Sequence, residues 1–250
     1  MAYDHGRFVW FELVTKDHAK AKAFYPELFG WKLEPMQMAD GSSYPMLKAG
    51  GAPVGGFMTP PKDGIPPHWV SYVSVADVNA SAKKVVAAGG KTLMDAMDVP
   101  GVGRIQPVTD PQGGAFMLFR GETEDHDAVK GPGSFHWNEL WAKDTAAALK
   151  FYSDVLGYSH DVMDMPNGKY YVLKNGDSPR GGLMQSPDPK VPQMWLQYVE
   201  VADTDDAVKR AVARGAKQHG ETMQVEGVGR FAILQDSLGA VIGVIKPANP

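Results

Sequence analysis

Two glutamates, Glu12 and Glu139, stand at matching places in two copies of one short sequence. The first copy reads FVWFELVTKD at residues 8–17, and the second reads FHWNELWAKD at residues 135–144. A carboxylate on an inward-facing strand is unfavourable unless it is paired, so each glutamate could be a general base or substrate anchor, or could be locked by a repeated partner. The candidate partners are Arg104 and Arg230, Tyr72 and Tyr198, and Lys48 and Lys174. Because both copies keep the carboxylate while nearby residues differ, the duplication favours the structural role.

Three tryptophans, Trp10, Trp137 and Trp141, lie beside these glutamates in the sequence. Their indole rings offer flat apolar surfaces with one polar edge, which suits an aromatic or planar ligand. The alternative is that these rings only fill the core, and the sequence leaves both interpretations open.

His68 is the one histidine of seven that strand alternation places on the glutamate-bearing face in the first half. It could move a proton, because histidine changes its charge near neutral pH. The alternative is a histidine held by a hydrogen bond at the strand end that follows Pro67. Trp69 and Trp195 alternate onto the opposite face, so we predict that they pack in the core against a helix.

Arg104 and Arg230 each follow the tripeptide Gly-Val-Gly in their half of the chain. A guanidinium there could bind an anionic group with two parallel hydrogen bonds, or it could pair with Glu12 or Glu139. Pairing explains both repeated charges at once, so it is the preferred interpretation. The turn is not a phosphate loop, because no helix is predicted directly after it.

The repeat extends over nearly the whole chain, which indicates an internal duplication. YPMLKAGGAPVGGFM at residues 44–58 returns as YYVLKNGDSPRGGLM at residues 170–184. The polar segment between the two copies is bounded by glycine and proline, as linkers are. We predict a first domain at residues 1–121, a linker at 122–133 and a second domain at 134–250.

Each half divides into two modules that begin with an alternating strand and continue into an amphipathic helix. An aspartate offers the N-cap of the first helix and a glycine its end. These residues are Asp17 and Gly30 in the first half and Asp144 and Gly157 in the second. Short strands follow, with hairpin signals at Asp40 and Asn167, and later helices are predicted near residues 79–88 and 205–214. The chain therefore predicts an α+β fold of four βαβββ modules.

Composition excludes several classes of function. A net charge of −4 gives no electrostatic reason for binding nucleic acid or an anionic membrane. The sequence contains 0 cysteines, so disulfides, thiolate ligands and a cysteine nucleophile are absent. No signal peptide or membrane-spanning run is recognised, and we expect a cytoplasmic protein.

The segments DHAKAKAFYPELFGW, DTAAALKFYSDVLGY and TDPQGGAFMLF resemble the vicinal oxygen chelate superfamily of glyoxalases, bleomycin-resistance proteins and extradiol dioxygenases. The doubled Trp-x-Glu-Leu with Gly-Val-Gly-Arg is similar to its two-domain glyoxalase-like or predicted-hydroxylase branch. The resemblance implies two eight-stranded sheets curled into cups. It does not fix an activity, because this fold serves isomerases, dioxygenases, lyases and drug-binding proteins.

The resemblance also implies where a metal would bind, on the first and last strands of each module. In this chain those positions are occupied by Trp10, Val70, Met117, Trp137, Leu196 and Gly243. None is an ordinary ligand of a divalent ion. Glu12 and His68 could begin a site, but a catalytic metal usually takes three protein ligands. We therefore expect no metal ligands and no cofactor, and a divalent metal is disfavoured.

The preferred function is binding of a small organic molecule in an aromatic-lined cup, by a monomer or homodimer. The first alternative is a metal-independent lyase or isomerase, and the second is a metal-dependent glyoxalase or dioxygenase. The candidate catalytic residues are Glu12, Glu139 and His68. The candidate ligand-binding residues are Trp10, Tyr72, Arg104, Met117, Trp137, Trp141, Tyr198 and Arg230.

The two halves differ at one matching position, where Met117 in the first half is replaced by Gly243 in the second. Loss of a whole side chain predicts a roomier and more apolar cavity in the second half. We therefore expect an apolar planar ligand to prefer the second half. Proton transfer, if present, is expected in the first.

Overall fold

The structure is a computed structural model that describes residues 3–39, 41–165 and 168–248. Within this part of the chain there are four helices and 17 strands, and no helix is long and apolar enough to cross a membrane. The helices are α1 (His18–Phe29), α2 (Val78–Ala87), α3 (Thr145–Leu156) and α4 (Thr204–Ala213). Each helix follows the first strand of one module, as the repeat predicts.

The strands of the first half form one sheet and those of the second half form another. The first-half strands are β1 (Phe8–Val14), β2 (Lys32–Gln37), β3 (Ser43–Ala49), β4 (Ala52–Met58), β5 (His68–Ser74), β6 (Lys91–Thr92), β7 (Met97–Val99), β8 (Gly103–Thr109) and β9 (Ala115–Gly121). The second-half strands are β10 (Phe135–Ala142), β11 (Ser159–Met165), β12 (Gly168–Asn175), β13 (Ser178–Gln185), β14 (Met194–Glu200), β15 (Lys217–Val225), β16 (Gly229–Gln235) and β17 (Val241–Pro247).

The two sheets have the same strand order. It is β2-β3-β4-β1-β5-β9-β8-β6 in the first sheet, with β7 also paired to β8, and β11-β12-β13-β10-β14-β17-β16-β15 in the second. Trp10 and Val70 therefore belong to one sheet, as expected if modules pair in sequence order. The predicted α+β fold of four modules in two curled sheets is confirmed, and the short β7 adds a ninth strand to the eight expected in the first sheet.

Local sequence explains the ends of these elements. An aspartate side chain accepts a hydrogen bond from a backbone N–H in the first turn of every helix that the structure describes. Gly30 and Gly157 follow α1 and α3 with φ of 69°, a left-handed conformation that ends a helix without strain. The hairpin signals at Asp40 and Asn167 lie outside the described residues, but the strands on either side pair antiparallel.

The chain forms two compact units, and each combines sequence from both halves. Unit one contains Met1–Trp10, Val70–Asp127 and Trp137–Trp195, and unit two contains Phe11–Trp69, Ala128–His136 and Leu196–Pro250. The sheets follow the predicted boundaries at residues 121 and 134, whereas the compact units do not. The domain boundaries therefore stay a prediction.

A buried Trp–Tyr–Asp chain links the two halves inside unit two. Trp69 Nε1 donates to the Tyr25 hydroxyl at 3.1 Å, and that hydroxyl donates to Asp236 Oδ2 at 2.8 Å. The other carboxylate oxygen of Asp236 accepts backbone N–H groups of the turn at residues 238–240. Every polar group in this chain thus has a partner, which offsets the unfavourable burial of the aspartate.

Unit one repeats this arrangement with Trp195, Tyr152 and Asp110. Trp195 Nε1 donates to the Tyr152 hydroxyl at 2.8 Å, and Tyr152 donates to Asp110 Oδ2 at 2.9 Å. Trp69 and Trp195 are 5% and 3% exposed, so the prediction that they pack in the core is confirmed.

Candidate functional site

Glu12 is held by a tyrosine that reaches it across an intervening strand. The Tyr44 hydroxyl on β3 donates to Glu12 Oε1 on β1 at 2.6 Å. Strand β4 lies between them in the sheet, and its Gly56 pairs in register with Glu12. Glu12 is 5% exposed, so this hydrogen bond satisfies a buried carboxylate. We call Glu12, Tyr44 and Gly56 the first glutamate site.

The position of the Tyr44 side chain requires glycine at position 56. A Cβ added at Gly56 would lie 2.1 Å from the Tyr44 hydroxyl oxygen, closer than real Cβ contacts. Only glycine therefore lets the ring pass over β4 to reach Glu12. This explains the second glycine of the Gly-Gly pair in the first copy of the repeat.

The second half builds the same arrangement within unit one. Tyr170 on β12 hydrogen-bonds Glu139 on β10, passing over Gly182 on β13. A Cβ at Gly182 would lie 1.8 Å from the Tyr170 hydroxyl oxygen. Two indoles complete the cluster: Trp137 Nε1 donates to the Tyr170 hydroxyl at 2.8 Å, and Trp141 Nε1 donates to Glu139 Oε1 at 2.7 Å. These five residues form the second glutamate site.

Tyr170 is the proton donor of its pair with Glu139. Burial of the phenol raises the pKa of Tyr170 well above its usual range, and the nearby negative charge of Glu139 raises that pKa further. The N–H of Trp137 acts in the opposite direction, because it stabilises the phenolate form. Tyr170 therefore stays protonated at neutral pH and presents its O–H to the carboxylate.

Trp141 distinguishes the second site from the first. Its place in β10 corresponds to Val14 in β1, which has no polar atom in its side chain. Trp141 is 8% exposed and its indole N–H is bonded to Glu139. The Trp141 ring therefore supports the Glu139 carboxylate and leaves little surface open to a ligand. Trp137, by contrast, is only half-buried.

The prediction that Arg104 and Arg230 pair with the glutamates is wrong. Arg104 bonds Asp98 at 2.6 Å and Asn79 of α2, and Arg230 bonds Asp205 of α4 at 2.8 Å. On β8, Arg104 lies on the opposite face from Ile105 and Pro107. Ile105 and Pro107 pair in register with Phe119 and Met117. Strand alternation therefore places Arg104 on the helix-bearing face, opposite to Met117.

Lys48 and Lys174 are also not the partners of the glutamates. Lys48 lies 2.8 Å from Glu34, and Lys174 lies 2.9 Å from Asp161, in cross-strand pairs at the outer strands. The partners of Glu12 and Glu139 instead include the tyrosines of β3 and β12.

The remaining first-half candidates, His68, Tyr72 and Met117, lie on β5 and β9. His68 is half-buried at the start of β5, with Nδ1 2.8 Å from the carbonyl oxygen of Pro66. This is the strand-end hydrogen bond that the sequence offers as the alternative to proton transfer. Tyr72 and Met117 pair in register and are both 5% exposed, so they share one face of the first sheet.

The space expected beside Gly243 is filled. A Cβ at Gly243 would lie 2.2 Å from Cδ1 of Tyr198, which pairs with it in register on β14. The ring of Tyr198 thus occupies the volume that the missing side chain would take. The relative size of the cavities in the two halves stays a prediction.

The residues present do not fit the metal of the superfamily. In residues 3–39, 41–165 and 168–248, no group of three or more His, Cys, Asp or Glu could hold a metal ion. The implied ligand positions carry indole, aliphatic, thioether or glycine groups, as the sequence shows. Glu12 and Glu139, which lie two residues beyond Trp10 and Trp137, are hydrogen-bonded to tyrosines.

Sequence reasoning missed Tyr44, Tyr170, Gly56 and Gly182. The signal was present, because the tyrosine recurs at the start of YPMLK and YYVLK and the Gly-Gly pair recurs with it. A glycine that interrupts a strand indicates close approach of another group. Linking a tyrosine and a glycine to each glutamate required the strand order, β3-β4-β1 in the first sheet, which the repeat alone does not give.

Comparison with known proteins gives matches in both halves. Residues 7–47 match a family described as bleomycin resistance protein-like N-terminal, and residues 139–245 match a glyoxalase-like domain. The chain is 38% identical to CFP32, a predicted glyoxylase of Mycobacterium tuberculosis, over 98% of this chain and 97% of that protein. It is 31% identical to the anthracycline biosynthesis protein DnrV of Streptomyces peucetius, over 96% of this chain and 93% of DnrV.

Solved structures with low sequence identity share the fold. A Mn(II)-bound glyoxalase from Novosphingobium aromaticivorans superimposes with a TM-score of 0.62 at 20% identity, over 97% of this chain and 81% of that one. The H200E variant of homoprotocatechuate 2,3-dioxygenase from B. fuscum superimposes with a TM-score of 0.67 at 14% identity, over 97% of this chain and 71% of that one.

Proposed function

Because the chain belongs to the vicinal oxygen chelate superfamily of glyoxalases, bleomycin-resistance proteins and dioxygenases, we propose that it binds a small organic molecule without a metal ion. The observation that carries the proposal is the Tyr–Glu hydrogen bond in each half, where a buried carboxylate has a tyrosine as partner. A carboxylate so held is a fixed polar anchor within an aromatic surface. Binding sites of this kind combine apolar walls with few placed polar groups.

The second glutamate site supports the proposal further. Trp137 is half-buried, so part of its ring remains open to contact a ligand, while its N–H is fixed on Tyr170. The ring is therefore held in place before a ligand arrives, which lowers the entropy lost on binding. The relative DnrV is named for anthracycline biosynthesis, which also favours a small organic ligand.

A metal-independent lyase or isomerase is the alternative, with Glu12 or Glu139 accepting a proton. The observation that favours it is the set of donors on Glu139: the hydroxyl of Tyr170 and the N–H of Trp141 fix its carboxylate. A general base must be positioned before it can act. A metal-dependent glyoxalase or dioxygenase is the second alternative, favoured by the Mn(II)-bound glyoxalase of similar fold.

The test combines metal analysis with ligand binding. Purified protein is assayed for zinc, iron, nickel and manganese, and then screened for organic molecules that raise its melting temperature. We expect no stoichiometric metal and at least one stabilising aromatic compound. Stoichiometric metal would overturn the proposal, and His68 and Glu12 would then be substituted first.

Matched variants locate the ligand. Trp137→Ala is expected to weaken binding of a planar ligand by about tenfold or more, because stacked aromatic area is lost. Trp10→Ala changes the corresponding residue of the first half and is expected to have less effect. Weakening by Trp10→Ala alone would contradict the assignment to the second half. Conversion of the ligand to product by wild-type protein, lost in Glu139→Gln, would favour the enzyme alternative.

A further inference from the structure

In the part of the chain that the structure describes, each sheet has two edges, and three of these four edges carry features that oppose pairing with another chain. An edge strand presents unpaired backbone N–H and C=O groups that a strand of another molecule can join. In the first sheet, β2 contains Pro35, and the opposite edge consists of the short strands β6 and β7. In the second sheet, β15 has an irregular register between His219 and Met223.

The fourth edge, β11, has none of these features. Its seven residues, Ser159–Met165, contain no proline and pair with β12 in one unbroken antiparallel register. The strand is exposed along most of its length, including the apolar side chains of Val162 at 50% and Met163 at 44%. A regular edge strand with exposed apolar residues readily pairs with another strand.

The first half indicates which backbone groups of β11 point outward. Pro35 is the fourth residue of β2 and pairs in register with Pro45. Neither proline has an N–H, so this pair exchanges no ladder hydrogen bonds. Val162 is the fourth residue of β11 and holds the matching place opposite Tyr171. The N–H and C=O of Val162 therefore point to the free edge.

The sequence of β11 complements itself when two copies run antiparallel about Val162. Val162 then lies opposite Val162 of the second copy, and His160 lies opposite Asp164 of the second copy on both sides. These three side chains share one face, and their backbone groups point to the same edge. Asp164 also pairs in register with Lys169 of β12, so its carboxylate would lie between two donors.

The surroundings of β11 suit a second strand. An open groove of about 440 Å³ lies between α3 and β11, lined among others by Leu149 and His160. On the other face, Asp161 lies 2.9 Å from Lys174 and would be opposite Met163 of the second copy. The charge of Asp161 is thus already paired and does not oppose the approach of the second copy.

We propose that two copies of this protein form a dimer by pairing their β11 strands antiparallel about Val162. The same surface is used on both copies, so the assembly closes as a two-fold dimer. A second copy fits this edge better than an unrelated strand, because its imidazole and carboxylate meet in register. The dimer requires no ligand in either half, so it does not depend on the proposed binding function.

Sedimentation velocity of the full-length protein, from about 1 μM to about 1 mM, measures the association. We expect a reversible equilibrium between monomer and dimer. Val162→Pro introduces the residue that the first half carries, and its missing N–H should weaken the dimer by about tenfold or more. Because Pro35 is accepted at the matching place in β2, the variant should keep a melting temperature near that of the wild type.

A charge exchange tests the register of the two strands. His160→Asp places two carboxylates opposite each other and should weaken the dimer by about fivefold or more. Adding Asp164→His to this variant restores the pair in reverse order, and the affinity should return to within about twofold of the wild type. His219→Asp is the matched control, because it makes the same change at an exposed position of β15. It should leave the dimer unchanged.

A single introduced thiol tests the two-fold axis. The chain contains 0 cysteines, so a disulfide in Val162→Cys can only link two molecules. A hydrogen-bonded antiparallel pair holds its Cα atoms about 5.5 Å apart, within reach of a disulfide. Val212→Cys is the matched control, since Val212 on α4 is 48% exposed and Val162 is 50% exposed. Mild oxidation should link Val162→Cys about tenfold faster or more.

Three results would overturn the proposal. The first is a monomer over the whole concentration range. The second is a dimer that persists unchanged in folded Val162→Pro and in His160→Asp, because it would use another surface. The third is equal linking rates in the two cysteine variants. If Val162→Pro does not fold, the charge exchange and the linking rates decide.

Discussion

Tyr25 and Asp236 are separated by 211 positions in the sequence, and their side chains share a buried hydrogen bond of 2.8 Å. Tyr152 and Asp110 form the equivalent bond at 2.9 Å in the other compact unit. Each pair joins a helix of one half to a turn of the other half. The two bonds therefore couple the halves of the duplicated chain.

Removal of either tyrosine hydroxyl is expected to destabilise the protein. Tyr25→Phe or Tyr152→Phe leaves a buried aspartate without one of its donors, and we expect a loss of about 1–3 kcal/mol in the free energy of unfolding. Urea unfolding measures it. Tyr3→Phe is the control, because Tyr3 is 38% exposed, and it should change the free energy by less than about 0.5 kcal/mol. Equal effects of Tyr25→Phe and Tyr3→Phe would contradict the structural role.

Alanine at Gly182 is expected to displace Tyr170. The added Cβ would overlap the phenol, so we expect Gly182→Ala to lower the free energy of unfolding by about 1–3 kcal/mol. A double-mutant cycle with Tyr170→Ala provides the check, because removing the ring also removes the clash. The double variant should therefore lose less than the two single variants together, by about 1 kcal/mol or more. Simple additivity would show that the glycine serves another purpose.

Alkaline pH is expected to destabilise the folded chain through its buried tyrosines. Burial raises the pKa of four tyrosines above the ordinary value. A nearby carboxylate raises each of these pKa values further: Asp236 for Tyr25, Asp110 for Tyr152, Asp4 for Tyr158 and Glu139 for Tyr170. In the unfolded chain these tyrosines release their protons at a pH of about 10. Above that pH the folded state binds more protons than the unfolded state, so the free energy of unfolding falls as pH rises.

Urea unfolding between pH of about 8 and about 11 measures this loss. Tyr152→Phe should show a shallower decline than the wild type, because one raised pKa is removed. Tyr3→Phe should follow the wild-type slope, since Tyr3 is exposed. Identical slopes in all three proteins would contradict the assignment.

Substitution of Arg104 or Arg230 is expected to have little effect. Their ion pairs with Asp98 and Asp205 lie at the surface, so Arg104→Met and Arg230→Met should each change the free energy of unfolding by about 0–1 kcal/mol. Arg180→Met should lower it by about 1–3 kcal/mol, because the Arg180 side chain is only 10% exposed and it donates twice to Asp4. Affinity for a planar ligand should be unchanged by Arg104→Met and Arg230→Met. A large loss in either would restore a role in binding.

The parts of this structure that depend on neighbouring residues were predictable from the sequence. Asp17 and Gly30 begin and end their helix as predicted, because capping is decided within one turn. Alternation in the strands also placed Trp69 in the core correctly. The repeat gave the number of modules, and the two sheets follow it.

The partners of the glutamates were not predictable in this way. Tyr44 reaches Glu12 only because β3, β4 and β1 are neighbours in the sheet and Gly56 leaves a path. Opposite charges suggested Arg104 instead, but the position of a charge in the sequence does not show which side of the sheet it faces. The bond from Tyr25 to Asp236 was not predictable for a related reason. The repeat suggests that each half makes its own contacts, whereas this bond joins one half to the other.

The assembly of compact units from both halves also sets an order for folding during synthesis. Unit one takes most of its chain from Val70–Asp127 and Trp137–Trp195, which leave the ribosome close together in time. Unit two must bring Phe11–Trp69 together with Leu196–Pro250. At about 5–20 residues per second, the 211 positions between Tyr25 and Asp236 correspond to roughly 10–40 s. Tyr25 of the first module therefore lacks its Asp236 partner until the last module is made.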